Sequence, residues 1–317
     1  MHNFKTIDNQ IEILKSRNLI INDEQEAKEI LMRENYYNLI NGYKNPFLKT
    51  SVPNDEYNGT CTIDEIYELY KFDREIREIV FKYILKIENA LRSQISYTFS
   101  KYHGHDNYLK YENFETLSGS SNKNTITKQA SKIYELIGKI QNDIKVSLKH
   151  KDYIKHYVVE HGYIPLWVLV NVFPLNRLSS FYKIMKQNER VEVSKYWGIL
   201  EKDLKTYLDT LAFYRNLCAH DERLYCSKSS SYISDNTIHN QLGIPRGADG
   251  NYEFGKQDLF SLIIIFKIML PSEDFNTAFN RINGRIESLR TKIKSISAEA
   301  ILNEMGFKNN WYEIKNI

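Results

Sequence analysis

One unbroken apolar stripe constrains the fold of this chain more than any other feature. It begins after Thr62, where the pattern Thr-x-x-Glu predicts a capping box with Glu65. Apolar residues then recur with a period of about 3.6 as far as Ile95, and Gly104 marks the predicted end. A helix of about 40 residues is about 60 Å long. Other elements must therefore pack along its length.

The rest of the sequence also favours helices. Thirteen Gly and six Pro in 317 residues are few for a protein built from tight turns. No alternation of apolar and polar residues persists long enough to predict a sheet. We therefore predict an all-α fold in one mostly helical unit, residues 1–317. Its parts are N-terminal helices over 1–60, a core over 62–225, a long irregular loop near 227–256 and C-terminal helices over 257–317.

Charge, cysteine content and hydropathy limit where such a chain can work. The 43 Lys+Arg against 40 Asp+Glu give +3, which neither requires nor excludes a nucleic-acid partner. Three Cys without CxxC spacing support neither a disulfide scaffold nor a zinc knuckle, and they fit a reducing compartment. The first residues lack the apolar core of a signal peptide, and the longest apolar run, 259–270, is too short for a bilayer. We expect a cytoplasmic protein that does not enter a membrane.

One segment, FYRNLCAHDERLY at 213–225, has a pattern suited to chemistry. On a helix, Asn216, His220 and Arg223 would share one face. Arg215 instead falls on an apolar stripe, so its guanidinium needs a partner, a site or an interface. The other members of that stripe are Leu204, Leu208, Leu211 and Cys218. A guanidinium can bind two phosphate oxygens at once, and an imidazole can move protons near neutral pH.

A structural interpretation of the same residues stays open at this point. His220 could be a cation favoured by the dipole at a helix C-terminus. Arg215 could form an ion pair with Glu222 or Asp209. The sequence contains no common motif for nucleotide binding, zinc proteolysis or a hydrolase elbow. The other histidines lack metal-ligand spacing, so we predict no metal site.

The segment RNLCAHDERLY resembles the R-x4-6-H motif of the HEPN superfamily. Further segments resemble the AbiD/AbiF abortive-infection family of bacteria, and together they span nearly the whole chain in order. They are QIEILKSRNLIINDEQEAKEIL, NYYNLINGYKNPF, YKFDREIREIVFKYILKIENALRSQISY, PLWVLV and MGFKNNW. The resemblance implies a HEPN-like helical bundle with additional N- and C-terminal helices, and a role in defence against phage.

The resemblance also implies an activity. Many HEPN proteins are endoribonucleases that need no metal or cofactor, and in them the ribose 2′-hydroxyl attacks the adjacent phosphate. By motif position, Arg215 and His220 would be the catalytic pair, and Asn216 the polar residue after the arginine. Only Arg215 has a histidine after four to six intervening residues, whereas a composite HEPN site uses two motif copies. We therefore expect a homodimer through the 215–223 helix.

Three residues are expected to support the pair. Arg223 lies on the shared face, and Glu88 and Arg92 match the family's E-x3-R pattern. These last two would orient the site, or form only an exposed ion pair worth about 0.3–0.5 kcal/mol. The segment after PLW departs from the family, because Asn171 stands near the usual acid and Asn176 near the usual glycine.

Two basic segments are candidates for RNA binding. Residues 123–156 hold eight Lys and three acids with apolar residues between them, which predicts a basic amphipathic helix. A plain solvated face fits that pattern equally well. The candidate contacts are Lys132, Lys139, Lys145, Lys149, Arg281 and Arg285. The expected partner is substrate RNA, and the basic helices could also hold a small structured regulatory RNA. A non-catalytic RNA-binding module and a protein-interaction scaffold are the alternative functions.

Overall fold

The computed structural model describes residues 4–119, 122–308 and 310–317. Its α-helices are α1 (Ile7–Ser16), α2 (Glu24–Glu34), α3 (Ile63–His103), α4 (Lys123–His150), α5 (Asp152–His161), α6 (Leu166–Leu169), α7 (Leu175–Ile184), α8 (Gln187–Lys195), α9 (Glu201–Ala219), α10 (Thr237–Gln241), α11 (Leu259–Met269), α12 (Ser272–Lys292) and α13 (Ala298–Glu304). Tyr37–Asn41 forms a π-helical turn. The 3-10 turns are Asn45–Phe47, Tyr111–Asn113, Val170–Val172 and Trp311–Lys315. Strands β1 (Leu48–Thr50) and β2 (Glu56–Tyr57) form a small antiparallel pair.

The all-α prediction is confirmed, and α3 forms the predicted long helix of 41 residues. At its start, the Thr62 hydroxyl accepts a hydrogen bond from the amide of Glu65 at 3.2 Å. The Glu65 carboxylate accepts one from the amide of Thr62 at 3.1 Å, which completes the capping box. Gly104 ends the helix with a φ of 84°, a conformation that glycine adopts without a steric penalty.

The helices α6, α7, α8, α9 and α12 all pack against α3. Its apolar stripe, including Ile66, Ile84 and Leu91, is fully buried. Buried apolar side chains from Ile11 in α1 to Ile314 near the C-terminus belong to one contiguous core. A single helix thus contacts most of the bundle, and its polar residues reach several parts of the chain.

The basic segment predicted as one helix is in fact two. Lys151 has extended backbone angles, with φ −128° and ψ 102°, and it separates α4 from α5. Asp152 then occupies the first turn of α5, where a negative charge is favourable against the helix dipole. Charge periodicity alone does not reveal this break, because the residues on either side remain good helix formers.

The segment 227–256 is largely irregular, as predicted, except for the short helix α10. It is nevertheless firmly packed. The fully buried His239 ring stacks on Tyr252 with 4.6 Å between ring centroids, and its Nε2 contacts the Gly255 carbonyl at 2.9 Å. Nearby, Lys256 forms an ion pair with Asp235.

Candidate functional site

Arg215 points from α9 toward the middle of α3. Its neighbours on the predicted stripe, Leu204, Leu208 and Leu211, are fully buried. The Arg215 side chain retains 27% exposure, and its Nε lies 3.9 Å from Oε2 of Glu88. The arginine that sequence analysis placed on an apolar stripe therefore faces a buried carboxylate.

Glu88 is only 1% exposed and lies between two arginines of the bundle. It forms an ion pair with Arg92, one helical turn further along α3. Arg92 also donates a hydrogen bond to the Phe173 carbonyl at 3.1 Å, which ties α3 to the segment before α7. Burial raises the pKa of Glu88, against the lowering effect of Arg92 and Arg215. The interpretation of Glu88 and Arg92 as an exposed surface pair is therefore wrong.

The partly exposed Arg215 forms fewer bonds than the buried arginines of the bundle. Arg77 pairs with Asp221 at 2.8 Å and also contacts Asp73 and the Glu222 carbonyl. Arg190 donates to Glu201 at 3.1 Å and to a backbone carbonyl. Arg215 makes no hydrogen bond with any residue that the structure describes, and its Nε is inaccessible to solvent.

Neither of the two acids proposed from sequence as partners for Arg215 pairs with it. Asp209 pairs with Lys183. The Glu222 carboxylate is exposed and forms no ion pair among the described residues, while its backbone carbonyl accepts from Arg77. Sequence spacing favoured acids close to Arg215 along the chain. The acid that actually faces it, Glu88, lies on another helix.

The end of α9 corrects the predicted position of Arg223. The helix stops at Ala219, and His220 caps it while its amide donates to the Asn216 carbonyl at 3.0 Å. Asp221 then adopts a positive φ of 56°, which turns the chain out of the helix. Arg223 consequently leaves the face shared by Asn216 and His220. Its guanidinium instead donates to the Gly42 carbonyl at 2.5 Å.

Asn216 and His220 are both exposed. Neither side chain bonds to another part of the chain that the structure describes. Residues five apart on a helix are separated by about 140° around its axis. Arg215 therefore faces α3 while His220 faces outward, and one chain alone does not direct the two side chains into one cleft.

A buried aspartate on α3 holds the segment that follows the motif. Asp73 is fully buried and accepts hydrogen bonds from the amides of Leu224 at 3.0 Å and Tyr225 at 2.7 Å. The Tyr43 hydroxyl donates to the same carboxylate at 2.8 Å. Burial raises the pKa of Asp73, while these hydrogen bonds and Arg77 oppose that rise. Sequence analysis missed Asp73, because one acid in a long charged helix carries no distinguishing signal.

His220 lines an open cleft of about 510 Å³, here called the motif cleft. One wall is residues 37–43, from the segment NYYNLINGYKNPF, and the other is residues 220–223. Arg215 and Asn216 do not line it. From the sequence, the segment 37–43 is part of the family resemblance but is not predicted to belong to the site. Its π-helical turn, a feature frequent at functional sites, has no sequence signature that would have assigned it a role.

The candidate RNA contacts on α4 are all exposed: Lys132, Lys139, Lys145 and Lys149. Lys139 pairs with Glu135. Lys145 and Lys149 form no ion pair within the described ranges. On α12, Arg281 is likewise unpaired there, whereas Arg285 lies 3.4 Å from Glu75. These cations therefore differ in how freely they could contact a phosphate.

The asparagines that replace the family's usual acid and glycine lie on the surface. The Asn171 amide donates to the carbonyls of Trp167 and Val168, both at 3.1 Å, within its own turn. Asn176 is exposed.

The described residues offer neither a reactive thiol nor a metal site beside the motif. Burial raises the pKa of the Cys218 thiol to about 12, which disfavours a thiolate nucleophile. Within 4–119, 122–308 and 310–317, no cluster of three or more His, Cys, Asp or Glu could hold a metal ion.

These features define the class of protein. It is a helical bundle in which the end of one helix carries an Arg-x4-His motif, and the arginine of that motif faces a buried carboxylate. The sequence model of the Abi-like protein family matches residues 29–226, more than half of the chain, and the chain belongs to that family. Abi proteins act in abortive infection, a form of defence against phage. The matched range includes α3, α9 and both walls of the motif cleft.

No curated protein and no solved structure matches the chain significantly. Among the described residues, no helix combines the length and apolar content needed to cross a bilayer.

Proposed function

We propose that this chain is a phage-defence endoribonuclease of the HEPN type that cleaves RNA without a metal ion. The observation that carries the proposal is the state of Arg215. Its guanidinium is positioned by a buried carboxylate, is partly exposed, and has no hydrogen bond to described residues. By comparison, the guanidinium groups of Arg77 and Arg190 each bond to a carboxylate and to a backbone carbonyl of the chain itself. A positioned cation with free donors suits a phosphate ligand.

The proposed reaction is an internal transfer of the phosphodiester. The ribose 2′-oxygen attacks the adjacent phosphorus as its proton is removed, and the bond to the 5′-oxygen of the next nucleotide breaks as that oxygen gains a proton. The products are a 2′,3′-cyclic phosphate and a 5′-hydroxyl. His220 would transfer protons and Arg215 would stabilise the charge on the pentacoordinate phosphate. Asn216 would contribute a polar contact beside them.

The proposed active site is composite and requires two chains. Arg215 and His220 face different directions in one chain, and the sequence holds one motif copy. A symmetric dimer through residues 215–223 would bring two motifs together. The exposure of Asn216, Ala219 and His220 leaves this helix end open for that contact. Light scattering coupled to gel filtration should give twice the 37.5 kDa of one chain. A monomer at working concentration would contradict the composite site.

The second candidate function is a non-catalytic RNA-binding module. The divergence of Arg215 and His220 in one chain favours it, because a monomer would lack a complete site. The unpaired Lys145 and Lys149 support RNA binding in either case. A small structured RNA bound to these cations would be a regulator under the first function and the principal ligand under the second.

The test uses wild type, His220→Ala and Arg215→Ala, with exposed His161→Ala as a matched control. Each protein is purified from bacteria, co-purifying RNA is examined on a gel, and cleavage of total RNA is measured in EDTA. We expect wild type and His161→Ala to cut, leaving 2′,3′-cyclic phosphate ends. His220→Ala should lose about 10²-fold or more in rate while still binding RNA. Binding without cleavage by wild type, with its RNA present or removed, would favour the second function.

A further inference from the structure

The motif cleft contains binding groups that the proposed chemistry at Arg215 and His220 does not use. Tyr37 is 72% exposed, and among the described residues its hydroxyl forms no hydrogen bond and its ring stacks on no other ring. The side-chain amides of Asn38 and Asn41 are exposed, and they too form no hydrogen bond within the described ranges. One π-helical turn thus presents an aromatic ring and two free amides to the cleft that His220 lines.

The backbone of this π-helical turn is fixed by a hydrogen bond at its start and by a buried tyrosine after its end. The amide of Tyr37 donates to Oδ1 of Asn35 at 2.8 Å, and Asn35 has a positive φ of 68° that sets the direction of the turn. Tyr43, at the other end of this wall, is buried. Its ring stacks on Tyr225 with centroids 5.9 Å apart. The backbone that carries the exposed groups is therefore fixed, and a ligand would have to order only their side chains.

The two walls of the cleft are also linked to each other. Arg223 donates to the Gly42 carbonyl across the cleft at 2.5 Å. Asp73 accepts from Tyr43 on one wall and from the amides of Leu224 and Tyr225 behind the other. The cleft volume of about 510 Å³ is within the usual range of small-ligand sites. The cleft exists before any ligand arrives.

The cleft has no surplus of positive charge that would favour a phosphate as its occupant. Asp221, which pairs with Arg77, and the exposed Glu222 both line it, and the one arginine of its lining, Arg223, already donates to the Gly42 carbonyl. A neutral, flat group with donors and acceptors on its edge suits an exposed tyrosine ring and two amides better. Unpaired RNA bases are recognised in this way, by stacking on aromatic side chains and hydrogen bonds along the base edge.

We propose that the motif cleft binds one unpaired nucleobase of the RNA, next to the phosphate handled by His220. Tyr37 stacks on the base, and Asn38 and Asn41 bond to its edge. The cleft thereby selects single-stranded RNA and favours some bases at that position. This inference rests on the proposed RNA-directed function of the same site.

The experiment measures equilibrium binding by fluorescence anisotropy in a His220→Ala background, so that cleavage does not interfere. The probes are single-stranded RNA 10-mers, each with one varied base inside an otherwise constant sequence, and a matched RNA duplex. Tyr37→Ala should weaken single-strand binding at least five-fold, within the range measured for lost base stacking. Asn38→Ala and Asn41→Ala should reduce the difference in affinity between the varied bases.

The matched controls are Tyr97→Ala, since Tyr97 is 67% exposed but lies outside the cleft, and Asn276→Ala on α12. Both should bind like the parent protein. If the parent binds RNA and the cleft variants equal the controls, the cleft proposal is overturned while the proposed function stands. If the parent binds no RNA of any kind, both are overturned. Thermal unfolding of each variant verifies that the exposed substitutions leave the fold intact.

Discussion

Oε2 of Glu88 lies 3.9 Å from Nε of Arg215, across the contact between α3 and α9. The carboxylate is buried and its other oxygen pairs with Arg92. A buried acid shared by two arginines fixes the position of Arg215 without saturating its donors. The guanidinium is thereby held ready for an anion that the chain itself does not supply.

The first prediction concerns the stability of this arrangement. Arg92→Ala leaves the Glu88 carboxylate buried with only a distant partner, so the free energy of unfolding should fall by about 3 kcal/mol. Adding Glu88→Gln removes the unpaired charge and should recover part of that loss. Urea denaturation of both variants measures the effect. A loss below about 1 kcal/mol for Arg92→Ala would mean that solvent screens the pair.

The second prediction tests how Asp73 holds the cleft walls. Tyr43→Phe removes one hydrogen bond to Asp73 and keeps the stacking ring, so it should cost about 1 kcal/mol. Asp73→Ala leaves three buried donors without their acceptor and removes one of the two carboxylates that Arg77 contacts, so it should cost at least about 3 kcal/mol. Chemical denaturation gives both values. Equal effects of the two substitutions would show that Asp73 does not serve several donors at once.

The third prediction separates paired from unpaired cations in RNA binding. Lys145→Ala and Lys149→Ala should each reduce the slope of log K against log salt concentration by about 1. Lys139→Ala should change the slope less, because Glu135 already neutralises that ammonium group. Anisotropy titrations of a structured RNA at several salt concentrations measure these slopes. If neither Lys145→Ala nor Lys149→Ala changed the slope, the basic face of α4 would be a solvated surface that does not contact RNA.

The fourth prediction follows from Asp258, the residue that caps α11. Burial raises its pKa to about 6, despite hydrogen bonds from the amides of Gly255 and Ser261. In the unfolded chain an aspartate titrates near pH 4. The folded state therefore holds this proton more tightly. The stabilisation is complete below about pH 4 and is lost as the pH rises through about 6.

The comparison of wild type with Asp258→Asn isolates that contribution. Its upper limit is on the order of 3 kcal/mol, from about two pKa units. The stability advantage of wild type over Asp258→Asn should therefore shrink between pH 4 and pH 7, as followed by thermal unfolding. Burial lowers the pKa of His239, so its contribution to the free energy of unfolding rises with pH, opposite to that of Asp258. The difference between wild type and Asp258→Asn cancels the contribution of His239. A pH-independent difference would contradict the raised pKa.

Local patterns in the sequence predicted several elements well. The Thr62–Glu65 capping box, the long helix to Gly104 and the buried face of α9 all follow from spacing within one element. Their physical basis is local, because a helix places residues three and four apart on one side whatever surrounds it. The helical class of the fold followed from the same regularities.

Contacts between elements were outside the reach of those patterns. The partner of Arg215 is Glu88, which is far away in sequence, and no spacing rule connects them. Arg223 left the predicted face because Asp221 turns the chain, and the resulting bond joins it to Gly42.

The sequence by itself therefore determined the helices, the apolar faces and the motif at 215–220 that suggests a chemistry. Only the tertiary structure decided which acid holds Arg215, which way His220 faces, and that an N-terminal turn forms a wall of the motif cleft. The reason is physical. Helix formation depends on neighbours along the chain, whereas ion pairs and clefts form between segments that packing of the apolar core brings together.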